Sequence, residues 1–311
     1  MALYDLVSLK RSLINTINVD SVFKEIRDLA TAIANVKLQV ENIDAKHAEY
    51  IDQLVAHYEG LLQQVQQPVA DFESKLAELN QEITTLTYKL FAGNYELEER
   101  YGTVEQVRTI RKISISEDIE DMIKQRISLY TDWRYPALEI GCRDGEWTQH
   151  MIAADPLYVI DRQQEFLDST ASNFTPQYQE RLRRYLLKND DLSMLPTGQF
   201  AFVFSFGYFN YVSVDIITQM LRQIKELLRP GGVFLFSYND GDTPIGAGMA
   251  ENFARSYMPK SILIPICQSF GFTIEQEFDY NGISLLEIKR PGTLHTVKAH
   301  QVLGKIMPRN N

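Results

Sequence analysis

Two cysteines, Cys142 and Cys267, in 311 residues are too few for a disulfide framework, so a reducing compartment is the expectation. No apolar run approaches the roughly 18 residues that a membrane span needs, and the chain reads as soluble with no membrane partner. The opening Met1-Ala2-Leu3-Tyr4-Asp5 has neither the basic start nor the small-residue cleavage site of a secretory signal. The expected location is the cytoplasm, with residence in a large assembly as the alternative. Histidine is sparse at five residues, and His47 and His57 come without cysteine or carboxylate at ligand spacing, so no metal centre is expected. Positive charge is also short: the net charge is −10, and residues 1–100 alone carry 9 basic against 16 acidic side chains. Without a basic field to collect phosphates, duplex nucleic acid is a poor partner.

What is present divides into regions. Leu3, Leu6, Leu9, Leu13 and Ile17 recur at helical steps and predict a short amphipathic helix. From Ile26 the apolar positions alternate steps of three and four through Leu29, Ile33, Val36, Val40, Ile43, His47, Tyr50, Leu54, His57 and Leu61, a heptad seam. One helix over 21–66 would be a rod of about 70 Å. Pro68 is expected to end it, with a second helix stepping through Phe72, Leu76, Leu79, Ile83, Leu86 and Leu90 to a stop at Ala92-Gly93-Asn94. So narrow a stripe needs a partner, either the second helix folded back or another copy of the chain. Self-association through residues 20–92 is favoured, making 1–92 a coiled-coil oligomerisation region. The two seam histidines then set register.

A helical connector is expected over 93–134, with Ile119, Ile123 and Ile127 on one face. The stretch Tyr135-Pro136-Ala137-Leu138-Glu139-Ile140-Gly141-Cys142-Arg143-Asp144-Gly145 follows. It reads as a strand, a glycine-bearing turn and then a helix over 147–153, the place where a parallel sheet receives a nucleotide-like ligand. Leu157 to Ile160 is a second strand, ending in Asp161 twenty residues after Gly141. Further strands are expected at 185–188, 200–206 and 233–238, with a helix over 214–228 before Arg229-Pro230-Gly231-Gly232. Strands over 272–278 and 283–288, joined by Asn281-Gly282, form a hairpin. The basic Arg181-Leu182-Arg183-Arg184 stretch reads as a solvated helix face. Residues 291–311 read as a basic tail.

Over 135–290 this order of motifs resembles the class I S-adenosylmethionine-dependent methyltransferases. The resemblance rests on Glu139-x-Gly141-x-x-x-Gly145, Asp161, Asp191-x-x-x-Leu195-Pro196 and Leu228-Arg229-Pro230-Gly231-Gly232. It implies an α/β fold with a doubly wound, Rossmann-like seven-stranded sheet, and S-adenosyl-L-methionine as cofactor. Carried over by position, Glu139 belongs to the cofactor site, and the Gly141 to Gly145 loop packs on the methionine part. Asp161 holds the ribose, Asp191 and the Leu192 backbone read adenine, and Phe206 with Gly207 borders the sulfonium. Asp190 competes with Asp191, because three polar residues in a row blur the register. Arg143 stands where the fullest motif has glycine, which narrows the space beside the cofactor.

Substrate contacts are expected from Tyr208, Asn210 and Tyr238, with Tyr211, Asn239, Asp240 and Asp242 nearby, under a cover at Gly246-Ala247-Gly248-Met249. No catalytic base is assigned. The Pro-Cys pair of cytosine C5 chemistry and the Asp-Pro-Pro-Tyr run of base amine chemistry are both missing. Two functions follow as expectations: a methyltransferase of unassigned substrate, or a structural protein of a larger particle such as a virion that retains the domain without catalysis.

Overall fold

The computed structural model describes residues 3–16, 19–40, 45–100, 115–280 and 282–294, and the chain divides into two compact units, Met1–Lys89 and Leu90–Asn311. In the first unit lie α1 (Leu3–Thr16), α2 (Val19–Val40) and most of α3 (Ala45–Arg100). Lys37 of α2 pairs with Glu59 of α3, and Lys10 Nζ donates to Asn80 Oδ1 at 2.5 Å, so these helices contact one another within one chain. The expected single rod over 21–66 is therefore two helices, and Pro68 lies inside α3 rather than ending it. Pro68 is exposed, where the carbonyl it leaves without an intrahelical donor can reach water. The seam is incompletely covered: Ile33 is buried, whereas Val36, Tyr50 and Leu61 are exposed.

The end of α3 belongs to the second unit, and Gly93-Asn94 does not terminate it. Gly93 serves packing: a Cβ there would stand 2.7 Å from Phe253 Cε1, so a larger residue would push that ring off the helix. Asn94 is buried and works as a bracket. Its Nδ2 donates to the Tyr257 carbonyl at 2.9 Å, and its Oδ1 accepts from the Tyr257 N–H at 2.5 Å. Leu97 packs with Phe166 and Tyr211.

The rest of this unit comprises α4 (Glu117–Tyr130), β1 (Ala137–Ile140), β2 (Leu157–Asp161), α5 (Gln164–Ser172), α6 (Pro176–Gln179), β3 (Leu182–Leu186), β4 (Phe200–Ser205) and α7 (Val214–Leu227). Then come β5 (Leu228–Tyr238), α8 (Pro244–Glu251), α9 (Lys260–Ser269), β6 (Thr273–Tyr280) and β7 (Ile283–Lys289). The strands form a seven-stranded sheet in the order β3-β2-β1-β4-β5-β7-β6, parallel except for β7, which runs antiparallel to both its neighbours.

Alternation along each strand divides the core between two faces. Leu138, Ile140, Val203, Phe234 and Phe236 meet Ile217, Met220, Leu221 and Ile224 of α7 on one face. Ala137, Val159, Phe202, Phe204 and Leu235 meet Ile119, Ile123 and Ile127 of α4 on the other. Ile123 and Ile127 are wholly buried, each contributing about 1.5–3 kcal/mol of transfer free energy.

Several local expectations change. After Gly145 the helix expected over 147–153 is one 3-10 turn, Thr148–His150. The third strand starts at Leu182, so Arg183 and Arg184 lie exposed on an edge strand rather than on a helix; Arg184 pairs with Asp168. An edge strand shows water enough of itself to tolerate charges, and that hid its period. Gly246 to Met249 lies within α8. Ile43, Asn281 and residues 295–311 of the tail lie outside the described residues.

Candidate active site

The carboxyl ends of β1, β2 and β4 converge on the turn after β1. Gly141 and Gly145 take φ +76° and +78°, left-handed values that side chains resist, and Arg143 takes +48° between them. Asp161, at the end of β2, is buried and fastens this turn: one carboxylate oxygen accepts the Arg143 N–H at 3.0 Å, the other the Gln163 N–H at 3.1 Å. Burial pushes the Asp161 carboxyl up, against the lowering effect of the Arg143 and Gln163 amides. A cavity of about 30 Å³ opens beside the turn, with Gly141, Arg143, Trp147, Phe206 and Gly207 among its walls. The structure thus brings together Gly141, Phe206 and the Asp161-anchored loop as the sequence expects.

Glu139 does not join them. Strand alternation puts its side chain on the face of Ala137, where it is buried and accepts from Thr148 Oγ1 at 2.5 Å. Burial lifts its pKa to about 8, partly offset by the Thr148 hydroxyl and reinforced by Asp161. It supports the turn from behind.

At the purine end the structure separates the neighbours Asp190 and Asp191. Asp191 is exposed and its carboxylate is taken by the Ser193 N–H and hydroxyl at 2.9 and 2.8 Å, an Asx turn that lowers its pKa. Asp190 is the buried one and lines an open cleft of about 540 Å³ with Tyr95, Glu98, Arg162 and Leu187. Of the two neighbours, Asp190 rather than Asp191 faces the cleft. Positive φ at both Asn189 (+52°) and Asp190 (+54°) turns the chain and reverses which carboxylate faces inward. Leu192 is buried, and its N–H, expected to meet adenine, donates to Gln223 Oε1 at 2.7 Å, while Gln223 Nε2 donates to the Asp190 carbonyl.

Arg162, Tyr95, Glu98 and Gln223 carry no local sequence signature of a site. Arg162 Nη2 reaches both Asp190 oxygens at 2.7 Å, and its guanidinium lies 5.2 Å from the centre of the Tyr208 ring and 3.6 Å from Glu98. Arg162 stands directly after Asp161; the other three come from distant helices.

Of the expected substrate residues, Tyr208 and Tyr238 are buried in the core face that includes Phe209 and Phe236. Asn210 is fully buried and its Oδ1 accepts from Ser237 Oγ at 2.8 Å. Ser237 in turn accepts the Gly207 N–H. Tyr211 packs on Leu97, and Asn239 and Asp240 hold the loop between β5 and α9. Cys142 is buried, its thiol pushed well up by burial, which removes it as a nucleophile.

The residues fit a nucleoside ligand at the glycine turn and at Asp161. Towards the purine end, Tyr208 packs on the Gly141 backbone, where a Cβ on residue 141 would stand 3.0 Å from its Cβ and 3.1 Å from its Cδ2, and its hydroxyl reaches Asp190.

A parallel sheet closed by a reversed final strand, with its site at the first turn, defines the class I methyltransferase fold. Residues 138–234, within this sheet, match the family described as a methyltransferase domain. Similar solved structures include an S-adenosylmethionine-dependent methyltransferase from Mesorhizobium loti, at 15% identity over 55% of this chain and 97% of that one, TM-score 0.45. Geranyl diphosphate C-methyltransferase from Streptomyces coelicolor matches at 8% identity over 58% of this chain and 88% of its own, TM-score 0.47. The PH0226 protein from Pyrococcus horikoshii matches at 13% identity over 61% and 100%, TM-score 0.46. Comparison with curated proteins returns no match.

Proposed function

We propose that the sheet unit binds S-adenosylmethionine and transfers its methyl group, and that the helical unit joins copies of the chain. The observation that carries the first part is the buried Asp161 carboxylate, bonded to the backbone of a positive-φ turn at the end of β1. Asp161 would hold the ribose hydroxyls, and the turn's backbone, which no side chain at 141 obstructs, would lie along the amino-acid arm. Phe206 and Gly207 would border the sulfonium. That group supplies an already activated methyl, so the protein's task is alignment, and no base is required of the chain.

In calorimetry on the full chain, S-adenosylmethionine and S-adenosylhomocysteine are both expected to bind. Asp161→Ala should weaken them roughly 10–100-fold, since a hydrogen bond to a charged group contributes about 1.5–3 kcal/mol. Absence of heat from either ligand with the unaltered chain sinks the enzyme and favours an assembly protein with a retired domain.

The second part rests on the exposed Tyr50, Leu61 and Val65 of α3, apolar side chains at 65%, 39% and 40% exposure on a helix with polar neighbours. Light scattering on the full chain at micromolar concentration should give a dimer or larger, and Leu61→Asp should shift it towards monomer. A monomeric unaltered chain refutes self-association.

A further inference from the structure

Tyr208 reaches from a wall of one cavity of the site to a wall of the other. Its Cβ and ring edge lie over Gly141, a wall of the small cavity, while its hydroxyl donates to Asp190, a wall of the open cleft. Arg162 lies over the ring and grips the same carboxylate, and the side chain is nearly fully buried. The side chain therefore links a wall of a space of about 30 Å³ to a wall of one of about 540 Å³. Sites for molecules of cofactor size run to roughly 300–1,000 Å³, so the smaller space alone cannot hold one. The line from Gly141 to Asp190 is also the line along which a nucleoside would extend from the glycine turn towards the loop after β3.

We propose that Tyr208 is a displaceable plug, latched by its hydroxyl to Asp190, that divides one continuous trough in two. An adenine nucleoside with a long amino-acid arm occupies both halves only when the ring has left. This rests on the cofactor reading above. Its consequence is quantitative: apparent affinity falls by the fraction of molecules that are open, so a chain open one time in ten binds tenfold more weakly than its own trough allows.

The test uses the full chain, S-adenosylhomocysteine, and the variants Tyr208→Ala and Tyr208→Phe, each checked for fold by circular dichroism. Calorimetry should find Tyr208→Ala at least tenfold tighter than the unaltered chain, and Tyr208→Phe, which keeps the ring but loses the latch, between them. Adding Asp161→Ala to Tyr208→Ala should remove the gain; if the gain survives, the ligand sits elsewhere and the plug is wrong. In stopped-flow fluorescence through Trp147, the unaltered chain's binding rate should level off with ligand concentration, and Tyr208→Phe should raise that plateau. Should Tyr208→Ala fail to fold, the plateau decides alone, and one no higher in Tyr208→Phe overturns the proposal. Binding by the unaltered chain with no tightening in the folded variants overturns the plug and leaves the cofactor reading standing. No binding by the unaltered chain overturns both.

Discussion

Arg162→Ala is expected to destabilise the sheet unit by about 3 kcal/mol, measured by denaturant unfolding of the full chain. The guanidinium makes three hydrogen bonds to Asp190, at 2.7, 2.7 and 3.1 Å, and the Asp190 side chain is only 8% exposed. Burial opposes the charge on Arg162, but the Tyr208 phenol, Asp190 and Glu98 outweigh it and raise its pKa. Removing one member of a buried ion pair costs roughly 3–5 kcal/mol, because the other charge stays in a poor solvent without compensation. Partial exposure of Arg162 places the expected loss at the lower end. Arg162→Lys should recover only part, since a single ammonium cannot reproduce the fork that meets both carboxylate oxygens. Combining Arg162→Ala with Asp190→Asn should recover more, because a neutral amide needs no counter-charge and the two sites are coupled. A loss below 1 kcal/mol for Arg162→Ala would show that Asp190 is solvated and the pair peripheral.

That pair also marks where the sequence could be read and where it could not. The strand-turn element at 137–145, the acid at 161, the buried run of β4 and the hairpin strands are local patterns, set by period, glycine and length, and they lie where sequence reasoning put them. Asp190 and Asp191 could not be separated locally, because the choice between them is made by two successive positive-φ residues and a guanidinium 28 residues away. Gly93-Asn94 reads as a helix stop from composition. Its role is set instead by Phe253 and Tyr257, more than 150 residues later, which use the missing Cβ and the amide for packing. Pro68 fails for a related reason: a break signal is overridden when the freed carbonyl faces water on a long helix. At Asp190 and at Gly93-Asn94 distant contacts outvote local preference, whereas at Pro68 water does.

Glu139→Gln should change how stability depends on pH. The Glu139 carboxyl is fully enclosed and titrates at about 8 in the folded chain, against 4.5 as its ordinary value. An acid whose folded pKa is raised holds its proton more tightly when folded. Its contribution is therefore complete below about pH 4.5 and is lost progressively as pH rises towards 8. At about 1.4 kcal/mol for each pH unit over which the carboxyl is protonated folded and ionised unfolded, the loss is on the order of 5 kcal/mol. Asp161, also raised by burial, adds a slope of the same sign, so the informative quantity is the difference between the two proteins. Glutamine keeps an oxygen for the Thr148 hydroxyl and cannot ionise. The two should be close in stability near pH 4.5 and diverge steadily above it, with the glutamine variant the more stable at pH 8.5. Denaturant unfolding at intervals of half a pH unit measures this directly. Parallel curves would mean that Glu139 ionises freely in the folded chain, and that water reaches the back of the turn.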